Sequence, residues 1–467
     1  MKPPWVSAAS AAERPSAGLR LEDGSRLAVV GSGPAGSLFA YFALEMAGRA
    51  GLAIEVDLFE SRTFAQPGPQ GCNMCGGIVS ETLVQNLAAD GVNLPPGVVQ
   101  RSLDSYVLHT DAGRVRIATP LREMRIAAVH RGAGPRDVKE ARWESFDHHL
   151  QARAIARGAR LVQTRVDEVS RDGGRPTVRG RDGAVRVYDL MVVAVGVNST
   201  LLRVFEGLGL GYERPRVTKT LIREYLIGEE MINRSLGSSM HVFLLNVPRL
   251  EFAAIIPKGD YVTMCLLGED IDNALVDAFV ATPEVRACMP PGWRPDARSC
   301  QCLPHISVRN VAKPFADRVV FIGDCGVTRL YKDGIGAAYR TAKAAARAAV
   351  FSGISEADFR RHYLPVCRAI TADNRIGRVA FFFTRFSQRF RLLRRAMLRM
   401  AVAEQSRPGA DRRLSGVLWD MFSGSAPYGD ILARMLRPAF LGRFVWAMVL
   451  SLSPGSDAGR QRPEVAS

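Results

Sequence analysis

The run "RLAVVGSGPAGSLFAYFALEMA", Arg26 to Ala47, constrains this chain more than any other feature. Leu27 to Val30 is a short β-type stretch, Gly31, Gly33 and Gly36 follow as G-x-G-x-x-G, and Ser37 to Ala47 is apolar and helix-compatible. A pyrophosphate needs such a strand, glycine turn and helix. Gly31 permits the tight turn, Gly33 lets phosphates approach the backbone, and Gly36 lets helix and strand pack closely. The helix N-terminus then offers free N–H groups and a positive dipole end. The next strand, "AIEVDLFE", ends in Glu60, 29 positions after Gly31, where a carboxylate can accept hydrogen bonds from an adenosine ribose. The motif serves NAD and FAD alike.

A second site separates the two. "VVFIGDCG" places Gly323 and Asp324 after an apolar strand far downstream, and "KDGIGAAYRTAKAAARAA" opens a helix with Gly334, Ile335 and Gly336. In FAD-dependent reductases and hydroxylases a late Gly-Asp holds the ribityl and pyrophosphate region, and the next helix points its N-terminus at the flavin. The two-ended pattern points to FAD, and the chain has no second fingerprint for a resident nicotinamide.

Two further segments agree. "ARWESFDHHLQARAIARGARL" resembles the R-x-x-x-(F)-D-x-x-L-x-x-x-A-x-x-x-G-A segment of hydroxylase and geranylgeranyl reductase flavoproteins, with Arg142, Phe146, Asp147, Leu150 and Gly158 in place. "DLMVVAVGVNST" is similar to their A-D-G-x-x-S segment, with Val195 at the aspartate position, then Gly196, Asn198 and Ser199. In hydroxylases that aspartate helps to position FAD and a nicotinamide donor, so its replacement argues against an NAD(P)H-dependent hydroxylase. From about Arg26 to Val350 the chain resembles the geranylgeranyl reductase family of FAD-dependent oxidoreductases.

The resemblance implies an α/β fold: a Rossmann-type FAD-binding domain, an antiparallel-sheet substrate domain and a C-terminal helical region. It also implies FAD contacts at Gly31, Gly33, Pro34, Ala35, Gly36, Glu60, Ser61, Arg62, Cys75, Gly76, Gly77, Arg142, Val195, Gly196, Gly323, Asp324, Gly334, Ile335 and Gly336. The family's signature cysteine sits in a C-G-G turn that Cys75-Gly76-Gly77 matches, as proton donor or as a gate of pocket shape. Family members that reduce prenyl chains often carry Y-x-W-x-F-P in the substrate sheet. Here "LEFAAIIPKG" puts Phe252, Ala254, Ile256 and Pro257 in those places, which gives an apolar pocket of different shape. The implied chemistry is hydride delivery from flavin to a carbon–carbon double bond of an isoprenoid or other lipid-like substrate. The external electron donor is open between NADPH, ferredoxin and a quinol. Two other readings stand beside this one: a flavin monooxygenase of an aromatic or lipid substrate, and a flavin-bearing redox module without turnover. A halogenase is disfavoured because the W-x-W-x-I-P motif is absent.

Periodicity divides the chain into a leader (1–24), a discontinuous FAD-binding domain (25–216 and 306–352), a substrate sheet (217–305) and a basic helical region (353–467). Between Arg360 and Arg443 there are 17 arginines, no lysine and five acids, which accounts for most of the formal charge of +16. The region interleaves Phe381, Phe382, Phe383, Phe386 and Phe390 with arginines, and Trp446 lies in a second apolar stretch. Helices that pack on the substrate domain and touch an anionic membrane surface would have this composition. No nucleic-acid module is visible, so nucleic acid is not an expected partner. The first residues lack an apolar signal segment, and the expected location is cytoplasmic, with peripheral contact to the inner membrane face.

Eight irregularly spaced cysteines make no disulfide framework. Cys72 with Cys75, and Cys300 with Cys302, would make a metal or redox site only if the pairs met. Their spacing is not a standard ligand pattern, and no metal is expected.

Overall fold

The computed structural model describes residues 19–72, 74–121, 124–136, 138, 142–296, 299–407 and 411–452. The expected leader up to 18, and the chain beyond 452, lie outside the described residues.

The first layer is a six-stranded sheet in the order Phe315–Ala316, Val319–Phe321, Leu190–Val193, Ser25–Val30, Ile54–Phe59, Arg160–Val162. It is parallel except at the Phe315–Ala316 edge, with Leu27 opposite both Leu190 and Val56. Its central strands are buried on both faces, so they read as continuous apolar runs rather than as alternation. The fingerprint helix, Pro34–Arg49, packs against the long helix Gly334–Phe351 and the helix Phe146–Ala156. Close approach is possible because the Gly334–Phe351 helix buries small side chains such as Ala338, Ala342, Ala345 and Ala349. Helix starts follow their caps: the Ser145 hydroxyl accepts from His148 N at 3.2 Å, the Asp272 carboxylate from Leu275 N at 2.8 Å, and the Asp333 carboxylate from Gly336 N at 3.1 Å.

The second layer is a larger, mainly antiparallel sheet. Arg216–Leu226, Tyr261–Gly268, Leu250–Lys258 and Ser239–Phe243 follow one another across it, with Cys300–Cys302 and His305–Arg309 pairing with Arg216–Leu226. Period-two alternation splits its faces. Ala253 and Ile255 join a core with Leu275, Val276 and Phe279, while Phe252, Ala254 and Ile256 join a core with Leu418, Trp419 and Phe422 from the C-terminal helices.

The sheet differs from the expected division in one respect. The hairpin Ser105–Thr110 and Gly113–Ala118, assigned by sequence to the FAD-binding part, continues the substrate sheet, with Ser105–Thr110 running parallel to Ser239–Phe243. On the face away from the C-terminal helices, His109 Nε2 and His241 Nδ1 bond at 2.9 Å across this junction, and both rings are buried.

Candidate functional site

The glycine turn packs as its spacing requires. Gly31 has φ +97°, and a Cβ there would lie 2.7 Å from the Ala194 carbonyl oxygen. A Cβ on Gly36 would lie 1.9 Å from the Gly31 carbonyl oxygen, so only glycine lets the helix start this close to the strand. Behind the turn, Glu60 accepts from the amides of Ser32, Ser61 and Arg62 at 3.1, 2.9 and 3.0 Å. The Ser32 hydroxyl accepts from Gln151 Nε2 at 2.6 Å, tying the turn to the Phe146–Ala156 helix.

The turn opens into a cleft of about 710 Å³ between the two sheets. Its walls include Gly31, Gly33, Pro34, Ala35, Glu60, Ser61, Arg62, Cys75, Gly76, Gly77, Val195, Gly196, Gly323, Asp324, Gly334 and Ile335, which the sequence assigned to the cofactor, and Phe252, Ala254 and Ile256, assigned to the substrate. Gly323 has φ +63° and faces Ala35, where an added Cβ would come within 2.9 Å of the alanine methyl. Asp324 follows in the wall, and burial pushes its carboxyl up from the usual aspartate range. Asn198 exchanges two hydrogen bonds with the His305 backbone, at 3.0 and 2.8 Å, and so pins the Val195–Ser199 loop to the substrate sheet.

Four expected residues sit elsewhere. Gly36 and Gly336 serve packing behind the wall: a Cβ on Gly336 would lie 2.1 Å from the capping Asp333 carboxylate. Pro257 is buried in its strand opposite Val262, outside the cleft lining. Arg142, expected at the cofactor, instead extends to Asp260 at 3.4 Å, its side chain 67 % exposed. Arg131 stands in the wall in its place. It forms a forked pair with Asp147, the second arm at 2.9 Å. Burial opposes its charge, but Asp147 and then Cys75 hold the guanidinium firmly protonated.

Around Cys75 the chain is tightly fixed. Gly77 has φ +70°, and a Cβ there would lie 1.9 Å from the Val129 carbonyl oxygen. The Cys75 thiol accepts from Gly77 N at 3.4 Å. A Cβ on Gly76 would meet the Cys265 sulfur at 3.0 Å, so the C-G-G turn lies against the substrate sheet. Among the described residues, Cys72, Cys75, Cys300 and Cys302 do not form a group of three ligand atoms within 4.8 Å of one another. All eight cysteines are free thiols. Among the described residues, the group of three metal-type ligand atoms within 4.8 Å of one another is His109, His241 and Cys288, on the far side of the sheet. Cys325 is fully buried and donates to backbone carbonyls, a packing role.

Several wall residues carried no sequence signal of their own. Tyr331, Lys332 and Asp333 precede the Gly334–Phe351 helix, with Tyr331 and Asp333 in the left-handed region at φ 61° and 56°. Lys332 Nζ sits 3.4 Å from the centre of the Phe252 ring, and burial pushes its ammonium down to about 7. Phe422 and Ser423 reach the cleft from the helix Arg413–Ser423, so the C-terminal region completes its lining. Only Phe252, Ala254 and Ile256, at the places of the family's substrate-sheet motif, hinted at this apolar side.

No family model matches the chain, and no curated protein matches it by sequence. Solved structures do. A flavoprotein/dehydrogenase from Cytophaga hutchinsonii aligns with TM-score 0.59 and 14 % identity over 91 % of this chain and 98 % of its own. The halogenase PltM, in complex with phloroglucinol and FAD, aligns with TM-score 0.56 and 11 % identity over 92 % and 91 %. The peptidyl tryptophan dihydroxylase QhpG aligns with TM-score 0.55 and 20 % identity over 78 % and 76 %. At these identities the likeness is one of fold: the chain has the fold of FAD-binding flavoproteins.

Proposed function

We propose that this protein is an FAD-dependent oxidoreductase that reduces a carbon–carbon double bond of an apolar, isoprenoid-like substrate. One observation carries the reading: the glycine cradle and the apolar sheet wall line a single cleft, and they meet at Cys75-Gly76-Gly77 and Lys332.

The residues present suit FAD. The Gly31 and Gly33 turn and the N-terminus of the Pro34–Arg49 helix would take the pyrophosphate, Glu60 the ribose, and Gly323, Asp324 and the start of the Gly334–Phe351 helix the other end. When bound, the flavin supplies two-electron hydride chemistry.

The chain's own contribution is position, dryness and a proton. Met240, Phe252, Ala254, Ile256 and Phe422 exclude water from an unactivated alkene, which accepts hydride poorly unless held close. Lys332 Nζ, with an ammonium near 7, and the Cys75 thiol both stand in that wall and are the proposed sources of the proton for the neighbouring carbon. Anaerobic reduction of the bound flavin, then reoxidation against a panel of prenyl lipids, tests this. Reoxidation faster than buffer by at least one lipid is expected. Reoxidation by oxygen alone, with a hydroxylated or halogenated product, would overturn it in favour of a monooxygenase or halogenase. That second reading is supported by the names of the halogenase and dihydroxylase that share the fold.

A further inference from the structure

Scattered single apolar side chains on a surface are ordinary. Here they are gathered: 12 of the 19 large apolar side chains exposed among the described residues fall between 379 and 452. The helix Leu364–Arg389 turns Asn374, Gly377, Ala380, Phe381 and Gln388 inward. Its opposite side shows Val379, Phe382, Phe383, Phe386 and then Phe390, at the three-and-four spacing of one helix face and 44 to 56 % exposed. The outward rings touch one another, with centroids 4.5 Å apart for Phe386 and Phe390.

The helix Pro438–Ser451 repeats the arrangement. Phe440, Ala447 and Ser451 face in, while Leu441, Val445, Trp446 and Val449 face out, Trp446 being 63 % exposed. Arg443 bonds to the Asp411 carbonyl at 3.4 Å, which places the start of this helix beyond the end of the helix Arg391–Gln405. The Pro438–Ser451 helix packs against Arg391–Gln405, which Phe390 immediately precedes.

Charge identifies the occupant. No acid occurs from 374 to 403, whereas Arg375, Arg378, Arg385, Arg389 and Arg391 are exposed, with Arg385 paired to Glu251 at 2.8 Å. This rim would repel a second copy of the same face. Phenylalanine and tryptophan flanked by arginine suit the headgroup boundary of an anionic bilayer, and no helix of the described residues is long and apolar enough to cross one. The face also backs onto the cleft. Tyr331, in the cleft wall, meets the Phe381 ring at 4.9 Å, and Gln388 Nε2 donates to the Glu251 carbonyl at 2.9 Å, one residue from Phe252.

We propose that the Phe382–Phe390 stripe and the outer side of Pro438–Ser451 seat this protein on an anionic lipid bilayer, so that an apolar substrate enters the cleft from the lipid phase. Docking follows from the surface alone, whereas delivery of substrate to the cleft rests on the oxidoreductase reading.

Flotation of the full chain with vesicles of phosphatidylcholine, with and without phosphatidylglycerol, tests the docking. Binding to the anionic vesicles that weakens with added salt is expected. Phe382→Ser with Phe386→Ser, or Trp446→Ser, should each weaken it about tenfold through lost apolar burial. Arg389→Gln with Arg391→Gln should weaken it about tenfold on anionic vesicles and leave phosphatidylcholine unaffected. Unchanged thermal unfolding of these surface variants excludes misfolding as the cause. Failure to float with anionic vesicles overturns the proposal, as does flotation indifferent to all the variants. Concentration-dependent dimers that Trp446→Ser dissolves, without vesicle binding, would assign the face to a second copy. Because no turnover is measured, these outcomes are separate from the prenyl-lipid assay. A protein that floats yet is not reoxidised by any prenyl lipid would refute the reductase reading only.

Discussion

Lys332 shows how much chemistry one side chain can take from its surroundings. Desolvation brings its ammonium down to about 7, opposed in part by Cys265, and the Phe252 ring lies 3.4 Å from Nζ. If Lys332 supplies the proton, reoxidation of reduced flavin by substrate should fall as pH rises through 7, because the acid form is lost. Lys332→Met should lower the rate by about 10²-fold or more and remove that inflection. Cys75→Ser should also slow reoxidation and leave FAD bound, and a Cys75→Ser variant that keeps both full rate and pH profile would leave Lys332 as the proton source. Gly31→Ala tests the cradle. At φ +97°, with the Ala194 carbonyl 2.7 Å from the new methyl, it should cost about 1–3 kcal/mol in unfolding measurements and lower the flavin content of the purified protein.

Among the elements, the junction of Ser105–Thr110 with Ser239–Phe243 holds His109 and His241 as a hydrogen-bonded, buried pair. Burial keeps His109 well below the ordinary histidine range and puts His241 at about 4, and burial followed by Lys258 also holds His130 well below that range. The sign follows. Between the folded value and 6.5 the unfolded chain binds the extra proton, so stability is complete above about pH 6.5 and falls as pH drops toward 4. For His241 the loss by pH 5 is about 2 kcal/mol, visible as a lower Tm, and His241→Gln should flatten the acid limb. Local signals elsewhere were legible: the glycine fingerprint, the Gly323-Asp324 turn and the apolar positions Phe252, Ala254 and Ile256 each lie within a few residues of the structure they specify. The 105–118 hairpin closes on itself locally, but its attachment to a strand more than a hundred residues away depends on long-range pairing that no local pattern encodes. Arg142 and Arg131 illustrate the same limit. Both precede Asp147, and only the chain path decides that Arg131 turns inward to it.

At the scale of the molecule, the C-terminal helices are part of the cleft rather than an appendage, and Arg329 is the fastening. Its side chain is 3 % exposed and donates to the Gly424 and Ala426 carbonyls, just after the Arg413–Ser423 helix that brings Phe422 and Ser423 to the wall. It also lies 3.5 Å from Asp333 and 3.8 Å from Asp373, and its guanidinium covers the Tyr428 ring at 4.4 Å. A second tie, Trp419 Nε1 to Glu81 Oε1 at 2.7 Å, joins the same helix to the one that follows the C-G-G turn. Arg329→Met keeps the volume of the stem but leaves two carbonyls without a donor and Asp373 without this cation. The cost should be about 3–5 kcal/mol, as for removal of one member of a buried ion pair. The loss should appear first as local opening. Limited proteolysis should cut between 424 and 427 before the parallel sheet unfolds, and flavin should be released more readily while the Gly31 turn stays intact. Cleavage no faster than in the parent protein, with undiminished flavin retention, would mean that Trp419 and the apolar core hold the C-terminal helices on the cleft without Arg329.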